Sequence, residues 1–269
     1  MTHPVLKWAG GKRQMLGQYK EFFPHRFNAY HEPFLGGGAV FFHLAPPVAY
    51  LSDWNDELIN MYLVIQTGVD QLVEDLSQHK NEEEYYYRVR ALDTRSLDEV
   101  QRASRLIFLN KTCYNGLYRV NKKGQFNVPF GKYKRPGFFD VDLLLSASAA
   151  LRQAKIFKAD FNVVLENAGT GDLVYFDPPY FPLSRTASFT DFTDRSFGAK
   201  DQERLAETFH ELVKMGCLVM LSNSDTPFIR ELYSRYGRGV ISLSANRSIN
   251  SKGDRRGPVG ELLICSWIR

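Results

Sequence analysis

The stretch VYFDPPY, residues 174–180, ends an apolar run in an acid, two prolines and a tyrosine. Neither Pro178 nor Pro179 has a backbone N–H to donate, so a central β-strand cannot continue through them. The prolines also restrict the backbone around Asp177. The sequence therefore predicts a rigid strand end that presents a carboxylate, a backbone carbonyl and the ring of Tyr180. These groups make a polar clamp with a stacking face; the alternative is a plain strand-terminating turn.

A glycine turn follows another predicted strand, in EPFLGGGAVFF at residues 32–42. Three consecutive glycines between a strand and a helix let the backbone approach a ligand closely. Asp53 ends the next predicted strand about twenty residues later, where an acid can accept hydrogen bonds from ribose hydroxyls. The G-x-G-x-x-G spacing of a pyrophosphate-binding loop is absent, which favours an adenosine-bearing ligand without a pyrophosphate. The alternative is a tight turn and a surface acid.

A basic loop lies between Lys111 and Arg135, with seven Lys or Arg residues and no acid. Basic side chains can neutralise phosphates, and interleaved aromatic rings can stack on bases. The alternative is a solvated loop pinned by its own aromatic residues. The aromatic residues are Tyr114, Tyr118, Phe126, Phe130 and Tyr133, and a second basic stretch near the C-terminus contains Arg247, Lys252, Arg255 and Arg256.

Alternating strand and helix patterns are expected to position these groups. Residues 29–53 read as a β-α-β unit, residues 55–112 as helical, and residues 113–139 as a long loop or hairpin. Strand patterns return from about residue 155. We therefore expect an α/β, Rossmann-like, doubly wound and mostly parallel sheet, whose strand carboxyl ends share one ligand-binding edge. The predicted domains are 1–55 with 151–269 for the sheet, and 56–150 for an inserted, mainly helical domain.

The composition is that of an ordinary folded protein, with 44% hydrophobic and 24% charged residues in 269, and a net charge of +4. Three separated cysteines and six scattered histidines provide neither a disulfide framework nor the spacing of a metal site, so no metal is expected. No apolar signal-peptide core and no run long enough for a membrane span are visible. These features predict a cytoplasmic protein without a membrane partner, and a monomer is the default expectation.

The order of the motifs resembles the Dam-like DNA adenine-N6 methyltransferases, the D12 class or group alpha. LKWAGGK, EPFLGGG, Asp53, YNGLYRVNKKGQFNVPFG and DPPY follow that family's order over essentially the whole chain. The resemblance implies S-adenosylmethionine as methyl donor, double-stranded DNA as partner and a flipped-out adenine as acceptor. It also implies that the sheet is that of an S-adenosylmethionine-dependent methyltransferase and that the inserted domain recognises DNA.

The resemblance also assigns residues to the reaction and to the cofactor. The clamp that would hold the adenine consists of Asp177, Pro178, Pro179 and Tyr180. The residues that would hold the cofactor are Trp8, Gly10, Gly11 and Lys12 in the N-terminal segment, Glu32, Pro33, Phe34, Gly36, Gly37 and Gly38 in the glycine turn, Asp53 at the ribose, Asp160 and Phe161 at the adenine, and Asp177.

The DNA-binding residues follow from the same resemblance and predict GATC as the target. An arginine can bind guanine O6 and N7 together, and apolar atoms can contact a thymine methyl. Members that read GATC carry such residues at the positions of Leu117, Arg119 and Pro129, with Lys7 near the first base pair. The remaining predicted DNA-binding residues are Tyr114 and Asn115 at the flipping site, Lys122 and Lys123 at phosphates, and Asn127, Arg247 and Lys252.

Other readings stay open at this stage. The acceptor could be cytosine N4, an RNA adenine or a protein glutamine amide, or the chain could be a non-catalytic DNA-binding relative. The biological setting is equally open between a restriction–modification pair with a companion restriction endonuclease, a lone housekeeping enzyme of DNA replication or repair, and a phage enzyme.

Overall fold

A computed structural model describes residues 2–182, 197–234, 239–246 and 258–268. Its centre is a seven-stranded sheet in the order β3-β2-β1-β4-β5-β7-β6. The strands are β1 Tyr30–Glu32, β2 Ala49–Asp53, β3 Ala154–Lys158, β4 Leu173–Phe176, β5 Leu218–Ser224, β6 Gly239–Asn246 and β7 Pro258–Cys265.

Strands β1 to β5 run parallel to one another, and β7 lies antiparallel between β5 and β6. Parallel neighbours put their carboxyl ends at one edge of the sheet. The strand order reverses between β1 and β4, which is where open α/β sheets bind ligands. The prediction of a mostly parallel, Rossmann-like α/β fold is confirmed, with an antiparallel strand pair at one side.

Helices cover both faces of the sheet and fill the connection from β2 to β3. They are α1 Leu16–Tyr19, α2 Ala39–Leu44, α3 Asp56–Thr67, α4 Val69–Ser77, α5 Glu83–Ala91, α6 Glu99–Thr112, α7 Val141–Leu151, α8 Val164–Asn167, α9 Ala199–Lys214 and α10 Pro227–Ser234. The longest, α9, has Leu205, Phe209 and Leu212 fully buried on one face, as its 3.6-residue pattern predicts.

The sheet separates two apolar layers because successive strand residues point to opposite faces. On β4, Leu173 and Tyr175 face the core that contains α3 and α6, whereas Val174 and Phe176 face the core that contains α9 and α10. All four side chains are fully buried. The DPPY motif directly follows this strand, so the clamp begins at the end of a fully buried strand.

The helical connection between β2 and β3 packs directly onto the sheet. Its first helix, α3, contacts β2 and β3, and α6 and α7 pack on α3. One apolar cluster includes Leu51 of β2, Leu58 of α3 and Phe108 of α6. The inserted segment therefore shares a core with the sheet, and the division at residues 55/56 and 150/151 stays a prediction.

Sequence patterns missed some elements. The region from Lys12 to Pro24 has helical spacing of its apolar residues, yet it forms only a short α1 flanked by two 3₁₀ turns, and none of the three pieces has a side-chain cap. α10 and β6 were not predicted, although Ile229, Leu232 and Tyr233 of α10 recur at helical spacing and β6 alternates apolar and polar residues from Ile241 to Asn246. No described helix has both the length and the apolar character needed to cross a membrane.

Candidate active site

Four acidic residues meet at the carboxyl edge of the parallel strands. Glu32 ends β1, Asp53 ends β2, Asp160 follows β3 and Asp177 follows β4. The glycine turn follows β1 and the DPPY motif follows β4. These two neighbouring strands flank the position at which the strand order reverses. The fold thus brings together the strand ends that the sequence predicts to bind a ligand.

The glycine turn after β1 is fixed to the end of β2. The backbone N–H of Gly36 donates to Asp53 Oδ2 over 3.0 Å, and the N–H of Asn55 donates to Oδ1 over 2.9 Å. The Tyr62 hydroxyl donates to the Gly36 carbonyl over 3.0 Å. Burial raises the pKa of Asp53, and these backbone donors oppose the rise. Asp53 therefore holds the turn as well as presenting a carboxylate at the edge.

Replacing Gly36 by alanine is expected to destabilise the protein by about 1–2 kcal/mol. Gly36 has a φ of +48°, and an added Cβ would lie 2.9 Å from Cδ1 of Trp8. Thermal unfolding measures the loss, with Gly17→Ala as the control because no atom lies within 4 Å of its Cβ position. Equal unfolding temperatures for the two variants would show that alanine at position 36 introduces no strain.

Glu32 lies beneath the glycine turn and has only 3% of its surface exposed. Its Oε2 accepts hydrogen bonds from the Tyr30 hydroxyl at 2.9 Å and from the Phe41 N–H at 3.2 Å. Desolvation raises the pKa of Glu32 to about 8. The side chain therefore anchors the start of α2 from within, and its assignment as a cofactor contact stays a prediction.

The raised pKa of Glu32 predicts a pH-dependent contribution to stability. Its ordinary pKa is 4.5 and its folded pKa is about 8, so between these values the folded state holds the proton more firmly. The free energy of unfolding that Glu32 contributes should therefore fall as pH rises through this window, by at most about 1.4 kcal/mol per pH unit.

Urea unfolding of the wild type and of Glu32→Gln between pH 5 and pH 9 measures this contribution. The glutamine keeps an acceptor for Tyr30 and Phe41 but does not titrate. We expect the stability difference, wild type minus variant, to decrease as pH rises and to level off above about pH 8. Parallel pH curves would show that Glu32 does not titrate in this range.

Asp160 and Phe161 begin a 3₁₀ turn after β3 and contact the glycine-turn loop. Asp160 caps this turn by accepting from the Asn162 N–H at 3.1 Å. The Phe161 ring stacks on Phe34 with centroids 5.4 Å apart and an interplanar angle of 25°. The guanidinium of Arg204, on α9, binds both carboxylate oxygens of Asp160. Two motifs that lie far apart in the sequence thus meet through one aromatic pair.

The Asp177 carboxylate is held by two side chains on one of its oxygens. Lys12 Nζ lies 2.6 Å from Oδ1, and the Ser222 hydroxyl donates to the same oxygen over 2.8 Å. Ser222 also pairs with the hydroxyl of the buried Tyr175 at 2.9 Å. The carboxylate has 20% of its side-chain surface exposed, so it is reachable from the edge of the sheet.

The backbone after Asp177 is held by side chains from β5 and α9. Gln202 Nε2 donates to the Pro179 carbonyl over 2.9 Å, and Asn223 Oδ1 accepts from the Phe181 N–H at 3.1 Å. Asn223 in turn donates to Gln202 Oε1 over 2.9 Å. Sequence reasoning missed these supports. The polar triplet Ser-Asn-Ser at the end of the apolar β5 was the signal that could have identified them.

The Tyr180 hydroxyl points into the protein, and its ring lies next to the clamp. Lys12 Nζ lies 4.6 Å from the ring centroid. Burial raises the pKa of Tyr180 well above its ordinary value, with further contributions from nearby Tyr19 and Asp177. Behind it, the Tyr19 hydroxyl donates to the buried Glu261. Neither Tyr19 nor Glu261 carries a sequence signal that would place it here.

The segment from Lys7 to Lys12 connects three parts of the site. The Lys7 backbone pairs with the side chain of Asn110 in both directions, at 2.9 and 2.8 Å. Trp8 stacks on Tyr118 with centroids 5.1 Å apart and contacts the glycine turn on another side. Lys12 reaches Asp177. The clamp, the glycine turn and the basic loop are therefore in contact through six consecutive residues.

The basic loop forms a hairpin, which we call the recognition hairpin, residues 113–131. Bridges pair Cys113 with Phe130 and Val120 with Phe126. Tyr118 and Phe126 are buried against each other with centroids 5.9 Å apart. These two rings pin the hairpin to the protein and are not free to stack on bases.

The predicted DNA-binding side chains of the hairpin point outward. Arg119 is exposed, and its Nε donates to Asn127 Oδ1 over 2.6 Å, while a terminal nitrogen donates to the Asn127 carbonyl. Leu117 and Asn127 are half-buried, whereas Lys7, Tyr114, Asn115, Lys122, Lys123 and Pro129 are exposed. Arg247 and Lys252 lie outside the described residues.

One predicted cofactor position, Gly10, has open surroundings. Gly10 has a φ of +75° with no atom near its Cβ position, and the Gly10 carbonyl accepts a hydrogen bond from Lys12 Nζ at 2.8 Å. The other predicted positions lie in the N-terminal segment and in the glycine turn: Gly11 in the first, and Pro33, Gly37 and Gly38 in the second. In the part of the chain that the structure describes, no group of three or more His, Cys, Asp or Glu side chains could hold a metal ion.

Comparison with known proteins places this arrangement in a family. The family model for D12 class N6 adenine-specific DNA methyltransferases matches residues 8–249. The chain is 42% identical to Type II methyltransferase M1.LlaDCHI of Lactococcus lactis subsp. cremoris, over 98% of this chain and 95% of that protein. It is 44% identical to Type II methyltransferase M.MjaIII of Methanocaldococcus jannaschii, over 98% and 99%.

A third relative is the DNA adenine methylase of Escherichia coli K12, 38% identical over 96% of this chain and 93% of that protein. The matched residues include the glycine turn, the recognition hairpin and the DPPY clamp, which the fold gathers at one edge of the sheet. The chain therefore belongs to the D12 class of N6 adenine-specific DNA methyltransferases.

Proposed function

We propose that the protein transfers a methyl group from S-adenosylmethionine to N6 of a flipped-out adenine in double-stranded DNA, within GATC. The observation that carries this proposal is the segment from Lys7 to Lys12, which contacts the recognition hairpin, the glycine turn and Asp177. A single site can thus read DNA, hold a cofactor and present an acceptor clamp. In this proposal residues 1–55 and 151–269 carry catalysis, and residues 56–150 carry target recognition.

The residues at the sheet edge fit an adenosine-bearing methyl donor. Asp53 is positioned to accept from ribose hydroxyls, and Asp160 is a carboxylate that can accept from an adenine amino group. The turn at Gly36 and Gly38 has positive φ values and is packed from behind by Trp8 and Tyr62, so its backbone is fixed. When bound, S-adenosylmethionine supplies an electrophilic methyl group on a sulfonium.

The clamp would activate the amino group of the acceptor adenine. The lone pair of that nitrogen is delocalised into the ring, which makes it a poor nucleophile. Hydrogen bonds from its two N–H groups to the Asp177 carboxylate and the Pro178 carbonyl would favour a tetrahedral nitrogen. Tyr180 would stack on the extruded base. Positioning of the two bound reactants supplies the rest of the rate; no classical general base is assigned, and one amino proton leaves after the methyl group has been transferred.

The geometry of Asp177 indicates which oxygen serves the base. Among the described residues, both Lys12 and Ser222 contact Oδ1. Oδ2 is therefore the oxygen that would accept from the adenine amino group. The Lys12 ammonium, which is almost fully buried, lies over one face of the Tyr180 ring.

The recognition hairpin supplies the contacts proposed for target reading. Arg119 would bind guanine O6 and N7, and Leu117 and Pro129 would contact thymine methyl groups. The positions of Tyr114 and Asn115, at the start of the hairpin, suit the flipping site. Asn115 adopts the left-handed conformation with φ +55°, and its N–H donates to the Tyr133 hydroxyl over 2.9 Å. Lys122 and Lys123 would neutralise phosphates.

The names of two relatives support a setting for this activity. Both M1.LlaDCHI and M.MjaIII are named Type II methyltransferases. We extend the proposal to a restriction–modification pair in which the protein acts as a monomer in the cytoplasm and a companion endonuclease cuts the same sequence when it is unmethylated. DNA methylated by the protein should resist that endonuclease.

Incubation with radiolabelled S-adenosylmethionine tests the proposal. The substrates are a duplex with one GATC site, the same duplex with that adenine replaced in both strands, and a GATC-free duplex. Label in the first duplex alone is the expected result. Label in all three would retain the chemistry and reject GATC. No label in any duplex, with label in an RNA oligonucleotide incubated in parallel, would reject the DNA acceptor.

A further inference from the structure

Arg204 covers one face of the Phe161 ring. Its guanidinium carbon lies 4.3 Å from the ring centroid, and Phe34 stacks on the ring at 5.4 Å. The edge of the ring meets Phe197 at 6.0 Å. Only 3% of Phe161 is exposed. In this arrangement the aromatic surface offers no free face to another planar group.

Arg204 also occupies the carboxylate next to that ring. One terminal nitrogen donates to Asp160 Oδ1 over 2.9 Å, and the other donates to Oδ2 over 3.0 Å. The Asn162 N–H donates to Oδ1 as well. A planar N–H donor group that binds Asp160 and stacks on Phe161 makes the same two kinds of contact that an adenine amino edge and ring would need there.

We propose that Arg204 closes the cofactor's adenine subsite and must swing away from Asp160 and Phe161 before the adenine of S-adenosylmethionine can bind. The inference rests on the proposed function, because Asp160 and Phe161 are its adenine-holding pair. Arg204 is then a specificity and affinity determinant that competes with the adenine for the same carboxylate and the same ring.

The arginine is the part of this stack that can move. Phe161 is anchored by Phe34 behind it, and Asp160 is anchored by its N-cap hydrogen bond to Asn162. The Arg204 side chain is 40% exposed and projects from the surface of α9. Asp201, one turn earlier on α9, has an oxygen 3.5 Å from an Arg204 nitrogen. This second carboxylate offers the guanidinium a partner after it leaves Asp160.

The energetics of the contact set the size of the expected effect. A partly exposed ion pair favours the closed arrangement by a factor of about 1.5 to 5, and a cation–π contact by about 2 to 5. The apparent affinity equals the intrinsic affinity multiplied by the fraction of protein in which Arg204 has left the subsite. Removing Arg204 should therefore tighten binding of adenine-bearing ligands by about 3- to 30-fold.

Isothermal titration calorimetry of the full-length protein with S-adenosylmethionine, adenosine and L-methionine tests the proposal. Arg204→Gln should bind S-adenosylmethionine and adenosine about 3- to 30-fold more tightly than the wild type, with L-methionine unchanged. Arg204→Lys keeps the charge but loses the planar fork, so its affinity for S-adenosylmethionine and adenosine should lie between those of the wild type and Arg204→Gln. The control is Arg95→Gln, which removes another arginine fork, on Asp93, at the exposed surface of the helical segment.

Unchanged or weaker binding of adenosine to Arg204→Gln, with an unfolding temperature equal to that of the wild type, would overturn the proposal and leave the cofactor assignment standing. A lower unfolding temperature with tighter binding still supports competition, because loss of structure alone cannot strengthen an affinity. Failure of the wild type and the variant alike to bind S-adenosylmethionine would instead reject the proposed function, and this inference with it.

Discussion

Asp177→Asn is expected to lower the rate of methyl transfer by about 10²- to 10³-fold or more, the loss typical of removing one preorganised polar group from an active site. The substitution keeps the shape of the side chain but removes the charge that would accept from the adenine amino group. It also removes the ion pair with Lys12, which lies 2.6 Å away. Single-turnover methylation of a GATC duplex measures the rate.

Binding measurements separate this chemical role from a structural one. Affinity for DNA should change little in Asp177→Asn, because its neighbours Ser222 and Tyr175 remain paired with each other. Asp225→Asn is the matched control, since Asp225 follows β5 at the same edge and is held by Arg230 at 2.6 and 2.7 Å. A single-turnover rate of Asp177→Asn within threefold of the control would refute the clamp assignment.

Arg119→Ala is expected to reduce discrimination at one guanine of the target by about 1–3 kcal/mol, or about 5- to 150-fold. The Arg119 guanidinium is exposed and is oriented by Asn127 through two hydrogen bonds. Asn127→Ala should give a smaller loss at the same base pair because it acts through Arg119. The measurement compares kcat/KM for GATC with kcat/KM for duplexes that change one base pair at a time.

Loss of a side chain that contacts a phosphate would have a different effect from loss of one that reads a base. Lys123→Ala should weaken binding to every duplex to a similar degree and reduce the salt slope of binding by about one. Lys123 is exposed at the tip of the recognition hairpin, so its loss should not disturb the fold. If Arg119→Ala gave this uniform pattern in place of a change at one base pair, the assignment of Arg119 to base reading would be wrong.

Much of the sheet could be predicted because its signals are local. Apolar runs that end in Glu32, Asp53 or Asp177 mark strand ends, and parallel strands place such ends at one edge. The edge strand β6 was missed although its apolar and polar residues alternate from Ile241 to Asn246; its pairing with β7 is a tertiary contact that the alternation alone does not specify. The hairpin pairing of residues 113–131 likewise depends on Tyr118 and Phe126, whose burial no local pattern reveals.

The parts of the site that could not be predicted are contacts between remote segments. Ser222 and Gln202 support the clamp from β5 and α9, and Glu261 of β7 pairs with Tyr19 behind it. Arg204 looks like one of many charged residues on an amphipathic helix until the fold places it on Phe161. Such side chains gain their roles only from the tertiary arrangement, which periodicity and composition do not contain.

The identity of the methylated nucleoside decides whether adenine N6 is the acceptor. Purified protein, S-adenosylmethionine and a duplex with a single GATC are incubated, and the DNA is digested to nucleosides for mass spectrometry. We expect N6-methyl-2′-deoxyadenosine, at most one per strand, with the wild type and almost none with Asp177→Asn. N4-methyl-2′-deoxycytidine as the product, or equal yields from the two proteins, would contradict this expectation.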